Sequence, residues 1–410
     1  MPVILALLLM IPVVAVADRN GLSAERLARI DAITDGYIEA GYISGTVVLV
    51  TRDGRTVYER TNGTLGFENP APMQVDSIFR IHSMTKVVTA VAALILYEEG
   101  HFHLNDPVAK FLPAYAEMRV FDGEGTRAAD QPVTMRQLFT HMTGIGYRFY
   151  YPDPDAMSAL NLASSSTAIE FANRLAAHPL LFEPGEAWRY GYSIDVLGAV
   201  VEAISGQRLG DFMRERIFES LGMKDTAFEV PAEKLDRLAS NYNFDKDKGQ
   251  PVPRSVPPFE AGMRMYPYDA GGAGLFSTAP DYLRFLEMLR GGGVLGKTRI
   301  LGTKTVAYMM KDHLPERITA ANVGPDHDPM LGLGAGHGLG IGIYFDPVRR
   351  GVLSSAGEND WGGAAGTLYW IDPVEDIVVV GMVQMLNKPF LFREDLAVGI
   401  YQSLTESRED

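Results

Sequence analysis

Ile81-His82-Ser83-Met84-Thr85-Lys86 is the stretch around which the rest of this 410-residue chain is organised. An extended run, Ser77 to Ile81, leads into it. Val87, Val88, Val91, Ala92, Leu94, Ile95 and Leu96 continue it as a helix that stops at Glu98, Glu99 and Gly100. Those apolar positions sweep more than one face, so the predicted helix is largely buried. A serine in its first turn has backbone amides beside its oxygen and the positive end of the helix dipole behind it, which suits a group that becomes or stabilises an oxyanion. Lys86, three residues on, projects from the same face and can touch Ser83. A hydroxyl attacks only when a neighbouring base takes its proton, and a desolvated lysine can be that base. The same residues also describe a helix cap followed by a solvated lysine. The remainder of the chain must decide.

Length allows two or three average domains or one large bilobal enzyme. A formal net charge of -14 argues against nucleic acid and anionic lipid as partners. Without cysteine there is no disulfide, no thiolate metal site and no cysteine nucleophile. Val3 to Ala17 is apolar and ends in Ala15-Val16-Ala17 before Asp18, the pattern of a secretory signal too short to span a membrane. Residues 1–17 are therefore expected to be a signal segment and the protein periplasmic or secreted, with a cytoplasmic location as the alternative. No lysine or arginine precedes the run, and Pro12 interrupts it.

Helical spacing of Leu27, Ile30, Ile33, Tyr37 and Ile38 predicts a helix over 23–40. Thr46 to Arg52 and Arg55 to Arg60 are strands joined by Asp53-Gly54. The middle of the chain turns helical. Thr134 with Gln137 and Thr167 with Glu170 form capping boxes, and helices are predicted over 194–205, 210–221 and 279–290. The proline-rich 237–270 stretch (Pro251, Pro253, Pro257, Pro258, Pro267) reads as a rim or lid. Strands return at Gly338 to Phe345, Thr367 to Ile371 and Ile377 to Gln384, followed by a helix over 390–406. The expected fold is α+β: an antiparallel sheet built from both ends of the chain, 18–100 and 300–410, with a mainly helical 101–299 part, forming a single bilobal catalytic unit.

A Ser-His-Asp triad is the obvious rival to Ser83-Lys86. His82 should point away from the serine, and His101 and His103 lie beyond the helix. His141, His178, His313, His327 and His337 lack motif context and read as caps or surface residues. No G-x-S-x-G elbow exists; Gly191-Tyr192-Ser193-Ile194-Asp195 fails at its last position. Tyr190, on the loop Pro184 to Ser193, is either a phenol near Lys86, where a cation stabilises phenolate, or a packing aromatic. Asn359 to Thr367, with Gly362, Gly363 and Gly366, can bring backbone amides to a ligand and complete an oxyanion hole with the amide of Ser83, or can be a tight β corner. No metal-ligand or dinucleotide pattern is present, so neither metal nor cofactor is expected.

In order, Ser83-Met84-Thr85-Lys86, Leu138-Phe139-Thr140-His141-Met142-Thr143-Gly144, Trp188-Arg189-Tyr190, Gly271-Gly272-Ala273-Gly274-Leu275-Phe276-Ser277-Thr278 and Trp361-Gly362-Gly363 resemble the family VIII carboxylesterases, which share the class C β-lactamase and DD-peptidase fold. The resemblance runs from about residue 25 to 385. It implies that Ser83 is acylated, that Lys86 and Tyr190 handle its proton in an order left open, and that the amides of Ser83 and Ala364 form the oxyanion hole. Tyr190-Gly191-Tyr192 replaces the β-lactamase Tyr-x-Asn, and Trp361-Gly362-Gly363 replaces Lys-Thr-Gly. Losing a buried charge-assisted contact costs on the order of 2 to 3 kcal/mol, so β-lactams should turn over poorly and neutral esters should not suffer. Tyr147, Phe149, Tyr150 and Tyr151, with Trp361, can line an apolar acyl pocket. The expected activity is hydrolysis of small-molecule esters with short to medium acyl groups. The alternatives are a β-lactamase or D-amino-acid peptidase, an acyltransferase, and a penicillin-recognising sensor that never resolves its adduct.

Overall fold

The computed structural model describes residues 20–123, 125–254, 264–321 and 331–409. The apolar segment at 1–17, His327, Pro257 and Pro258 lie outside the described residues. Asp53 and Gly54 both take positive φ, 52° and 69°, the conformation a two-residue turn needs to match the twist of its strands. They join Gly45–Arg52 to Arg55–Gly63. Every residue of Gly45–Arg52 is buried, which places this strand inside a sheet covered on both faces.

Its second neighbour is Ile377–Met382, antiparallel, with Val48 opposite Gly381 and Val50 opposite Val379. The seven strands run in the order Ala335–His337, Gly342–Tyr344, Glu358–Gly362, Leu368–Asp372, Ile377–Met382, Gly45–Arg52, Arg55–Gly63, all antiparallel. Both ends of the chain thus share one sheet, giving the α+β architecture. On one face Val48, Val50, Trp370 and Val379 pack with Leu27 and Ile30 from the first two helices and Leu396 and Ile400 from the last. On the other, Val47, Leu49, Tyr369 and Val380 share a core with Val88, Val91, Tyr282 and Leu286. At about 1.5–3 kcal/mol per buried aliphatic side chain, these layers outweigh pairs such as Arg60–Asp35, half-exposed at 2.8 Å and worth at most about 1 kcal/mol.

Several local expectations are corrected. The 23–40 helix is broken at Ala28 into Ala24–Leu27 and Arg29–Glu39. The box at Thr134 and Gln137 is complete, but Glu170 turns its carboxylate to Ser166, leaving Thr167 as a simple cap. Leu209–Met213 and Glu219–Leu221 flank a π turn, Arg214–Phe218, in place of one continuous helix. The 237–270 stretch contains the hairpin Tyr242–Asp245 and Gln250–Pro253, and Tyr242 pairs in parallel with Met385. Gly338 to Phe345 is not one strand. Gly340, at φ 81°, turns the chain against the nucleophile helix, where an added Cβ would come within 2.4 Å of the Cβ of Ala90.

The extended run before Ser83 shrinks to Phe79–Arg80, paired with Phe276–Ser277. His82 takes φ 43°, and the chain makes a 3-10 turn, His82–Met84, before the helix Thr85–Glu98. Side chains stitch this entry to the glycine-rich loop: Thr89 Oγ1 donates to the Gly271 carbonyl at 2.7 Å, and the Leu275 N–H donates to Thr85 Oγ1 at 3.1 Å. From the other side, a Cβ on Gly363 would meet the Ile81 carbonyl at 2.6 Å and Thr367 Oγ1 at 2.2 Å. Gly363→Ala is therefore expected to lower stability by roughly 1–3 kcal/mol. Thermal unfolding checks this; an unchanged midpoint would show that the turn has room to spare.

Candidate active site

Ser83 is half-buried at the floor of a cavity of about 910 Å³, while Lys86 behind it is 2% exposed. Three residues of helical rise bring Lys86 Nζ to 3.2 Å from Ser83 Oγ. Nζ also lies 2.6 Å from the Gly272 carbonyl oxygen and 3.2 Å from the Tyr147 hydroxyl. Three oxygens thus surround the nitrogen, and the Ser83 and Tyr147 hydroxyls can donate to it as well as accept. A free amine in the same place would donate to two of them and turn its lone pair to the serine O–H.

Tyr190 enters differently from the expectation that its phenol meets Lys86 or Ser83. Nζ faces its ring, 4.7 Å from the centroid. Its hydroxyl accepts from the indole Nε1 of Trp361 at 3.2 Å, because that donor, inside the cleft, needs a partner. The loop sits where it does because of Gly191, where a Cβ would press to 2.3 Å from the Ile145 carbonyl. Tyr192 stacks edge-on against Tyr147, ring centroids 4.7 Å apart, and lines the cavity. Trp361 and Gly362 end the strand Glu358–Gly362, and Gly363, Ala364 and Trp361 reach the same cavity.

Tyr147, expected only as pocket lining, is the phenol bonded to Lys86. Burial, with Tyr190 beside it, pushes its hydroxyl well above the usual tyrosine range, so it stays protonated. Asp195, in the first turn of Ser193–Ser205, is buried and accepts from the Gly272 N–H at 3.0 Å. It therefore holds the residue whose carbonyl holds Lys86. Its one sequence signal was its place in the failed Gly191 to Asp195 motif. The acyl-pocket reading is half corrected: Tyr147, Phe149 and Trp361 line the cavity, but Tyr150 does not and Tyr151 is buried against His178, while Phe171, Tyr190, Tyr192, Tyr266, Tyr268 and Tyr344 add to the aromatic wall.

The histidines are also corrected. His141, His178 and His337 are buried. His141 and His337 form, with Trp188, an aromatic layer behind Tyr190 and Trp361. Desolvation drives His141 far below the usual histidine range and His337 to about 4, so this layer is uncharged. His82 is buried as well, although the residue borders the cavity. Among the described residues no group of carboxylates and histidines could hold a metal ion, and no helix is long and apolar enough to cross a membrane.

The profile of the family described as Beta-lactamase matches residues 30–400. Esterase EstB of Burkholderia gladioli is 33% identical over 373 residues, covering 85% of this chain and 88% of that protein. Among solved structures, EstCE1, described as a hydrolase with promiscuous acyltransferase activity, superimposes with a TM-score of 0.78 at 28% identity, covering 93% of this chain and 99% of that one. Simvastatin synthase (LovD) of Aspergillus terreus does so at 0.80 and 26% identity, covering 94% and 100%.

Burial raises the Asp195 carboxyl from 3.8 to about 6, against the opposing pull of Lys86. Above pH 6 the folded state bears the whole cost of that buried charge, on the order of 3 kcal/mol. As pH falls through 6 the folded state takes up a proton first, and below 3.8 the difference is gone. Asp195→Asn keeps the acceptor for Gly272 without the charge. It is expected to be more stable than the wild type at pH 8, with the margin closing by pH 4. Denaturant unfolding at both pH values measures it, and a margin independent of pH would refute it.

Proposed function

The chain belongs to the Beta-lactamase family and is a serine hydrolase, and from that premise we propose that it is a carboxylesterase acting on short to medium acyl esters through an acyl-enzyme on Ser83. The observation that carries this reading is the 3.2 Å contact between Ser83 Oγ and Lys86 Nζ on the floor of an aromatic-walled cavity. In this reading Ser83 Oγ attacks the ester carbonyl and its proton passes to the free amine of Lys86, 3.2 Å away. The oxyanion is taken by the backbone amides of Ser83 and Ala364. The proton taken up by Lys86 then passes to the departing alkoxide, with the phenol of Tyr190, in the cavity wall beside Trp361, as its relay. Water then repeats the sequence in reverse on the acyl group, releasing the acid and the free serine.

Trp361 supports ester over β-lactam substrates, since it presents an indole where Lys-Thr-Gly would present a cation. A pocket of this size holds a drug-sized ligand, and its aromatic wall favours an apolar acyl chain. A second reading, acyl transfer to an alcohol, is favoured by the same volume, which leaves room for an acceptor beside the acyl-enzyme. The descriptions of EstCE1 and of the Penicillium decumbens relative named acyltransferase calJ point the same way.

Purified protein is expected to hydrolyse p-nitrophenyl butyrate far faster than nitrocefin, and Ser83→Ala to abolish the ester activity. Tyr190→Phe should reduce turnover by about a hundredfold. Full activity in that variant would remove the phenol from the mechanism. Adding an alcohol acceptor and measuring transferred ester against free acid separates the two readings.

A further inference from the structure

The phenol of Tyr147 has a defined position. Its ring meets those of Tyr190 and Tyr192 edge-on, at centroid distances of 5.4 and 4.7 Å. Its loop is fixed as well: the Ile145 N–H donates to Thr143 Oγ1 at 3.0 Å, the Gly146 N–H to the Tyr151 hydroxyl at 3.2 Å, and the Tyr150 N–H to the Tyr147 carbonyl at 3.0 Å. Gly144, at φ 83°, lies so close to the neighbouring segment that a Cβ there would meet the Phe182 carbonyl at 2.5 Å. These contacts set the Tyr147 hydroxyl in the cavity wall, 3.2 Å from Lys86 Nζ.

Donors and acceptors around that nitrogen must balance. Among the described residues three oxygens lie within hydrogen-bonding distance of Nζ: the Gly272 carbonyl at 2.6 Å, Ser83 Oγ at 3.2 Å and the Tyr147 hydroxyl at 3.2 Å. The carbonyl can only accept. A free amine has two N–H bonds and one lone pair, so after one N–H goes to Gly272, a single N–H and the lone pair are left for the two hydroxyls. Two arrangements result. With the N–H on Tyr147, the lone pair faces the Ser83 O–H and can take its proton. With the N–H on Ser83, the phenol O–H occupies the lone pair and the serine is idle. Only in the first do the bonds to Gly272 and Tyr147 stay in place as the nitrogen gains its proton and charge, so both strengthen along the reaction.

We propose that Tyr147 is a positioning residue: by accepting an N–H from the amine of Lys86, its phenol oxygen turns the lone pair onto Ser83. This rests on the esterase reading above and adds a residue to it. In acylation the Ser83 O–H bond breaks, its proton bonds to Nζ and Oγ bonds to the acyl carbon, while Tyr147 keeps its own proton throughout. Burial, which holds that hydroxyl well above the usual tyrosine range, prevents it from acting as a competing base.

The test is Tyr147→Phe, which removes the oxygen and keeps the ring between its aromatic neighbours. Two reactions are followed: hydrolysis of p-nitrophenyl butyrate, giving kcat and KM, and phosphorylation of Ser83 by diethyl p-nitrophenyl phosphate, giving a second-order rate constant. In the second, Oγ bonds to phosphorus, the serine proton goes to Lys86 and p-nitrophenolate leaves without needing a proton, so the rate reports activation of the serine by itself. Intact mass at the end point counts the competent molecules, and a misfolded fraction is not read as a slow one. Tyr147→Phe should lower kcat and the phosphorylation rate together, by roughly ten- to a hundredfold, with KM within about twofold of the wild type. A variant equal to the wild type in both rates overturns the proposal, since the ring alone then suffices, and so does one in which only KM changes. A wild type that is phosphorylated but opens no ester overturns the esterase reading instead, and the phosphorylation rates still decide the role of Tyr147.

Discussion

Burying the amine of Lys86 is the constraint from which the rest of the site follows. An ammonium taken out of water costs several kcal/mol unless its donors are met. Here its contacts come from parts of the chain far apart in sequence: the Ser83 hydroxyl, the Gly272 carbonyl and the Tyr147 phenol, with the rings of Tyr147 and Tyr190 beside the nitrogen. Each partner needs its own support. Gly272 is held by Asp195, Tyr190 by Trp361, and the serine turn by Thr85, Thr89 and Gly363. The cavity is thus the meeting point of five segments, and the amine at its base is the group that joins them.

Features set by near neighbours were legible in the sequence. The Asp53-Gly54 turn, the capping box at Thr134, the buried nucleophile helix and the Ser83-Lys86 spacing all depend on residues a few positions apart, and all are seen. The sheet made from both chain ends was also legible, since its strands are apolar and bounded by turn residues. What escaped depends on partners chosen across the fold. Nothing near Tyr147 marks it as the phenol that meets Lys86 over Tyr190, and Asp195 looks like any acidic residue in a first helical turn. The run Gly338 to Phe345 reads as one strand because the contact that bends it, Gly340 on Ala90, involves a helix two hundred and fifty or so positions earlier.

A second set of buried charges supports Trp361 from behind. Glu358 and Asp360 lie on the same strand, with Asp372 on the next, and all three carboxyls are buried. Arg393 bonds Glu358 and lies 3.5 Å from Asp360, and the Tyr401 hydroxyl reaches Asp372 at 2.8 Å. Burial pushes Glu358 above the usual carboxylate range, which lessens the excess of negative charge. Removing one partner from such a cluster typically costs 3–5 kcal/mol, about the worth of one or two large core side chains. The strand carrying Trp361 is thereby held at a fixed height over Ser83.

The strand Gly45–Arg52 has its hairpin partner at once, but its other edge is closed only by Ile377–Met382; Thr46 and Met382, which share a hydrogen bond, are 336 positions apart. During synthesis this apolar ribbon therefore leaves the ribosome with one flank open and waits for nearly the whole polypeptide before that flank is sealed. Ribosome-bound chains would carry a sticky, unsatisfied edge for most of translation, the situation in which holding chaperones matter most. Closure of the central sheet therefore waits for the strand Ile377–Met382, near the far end of the chain.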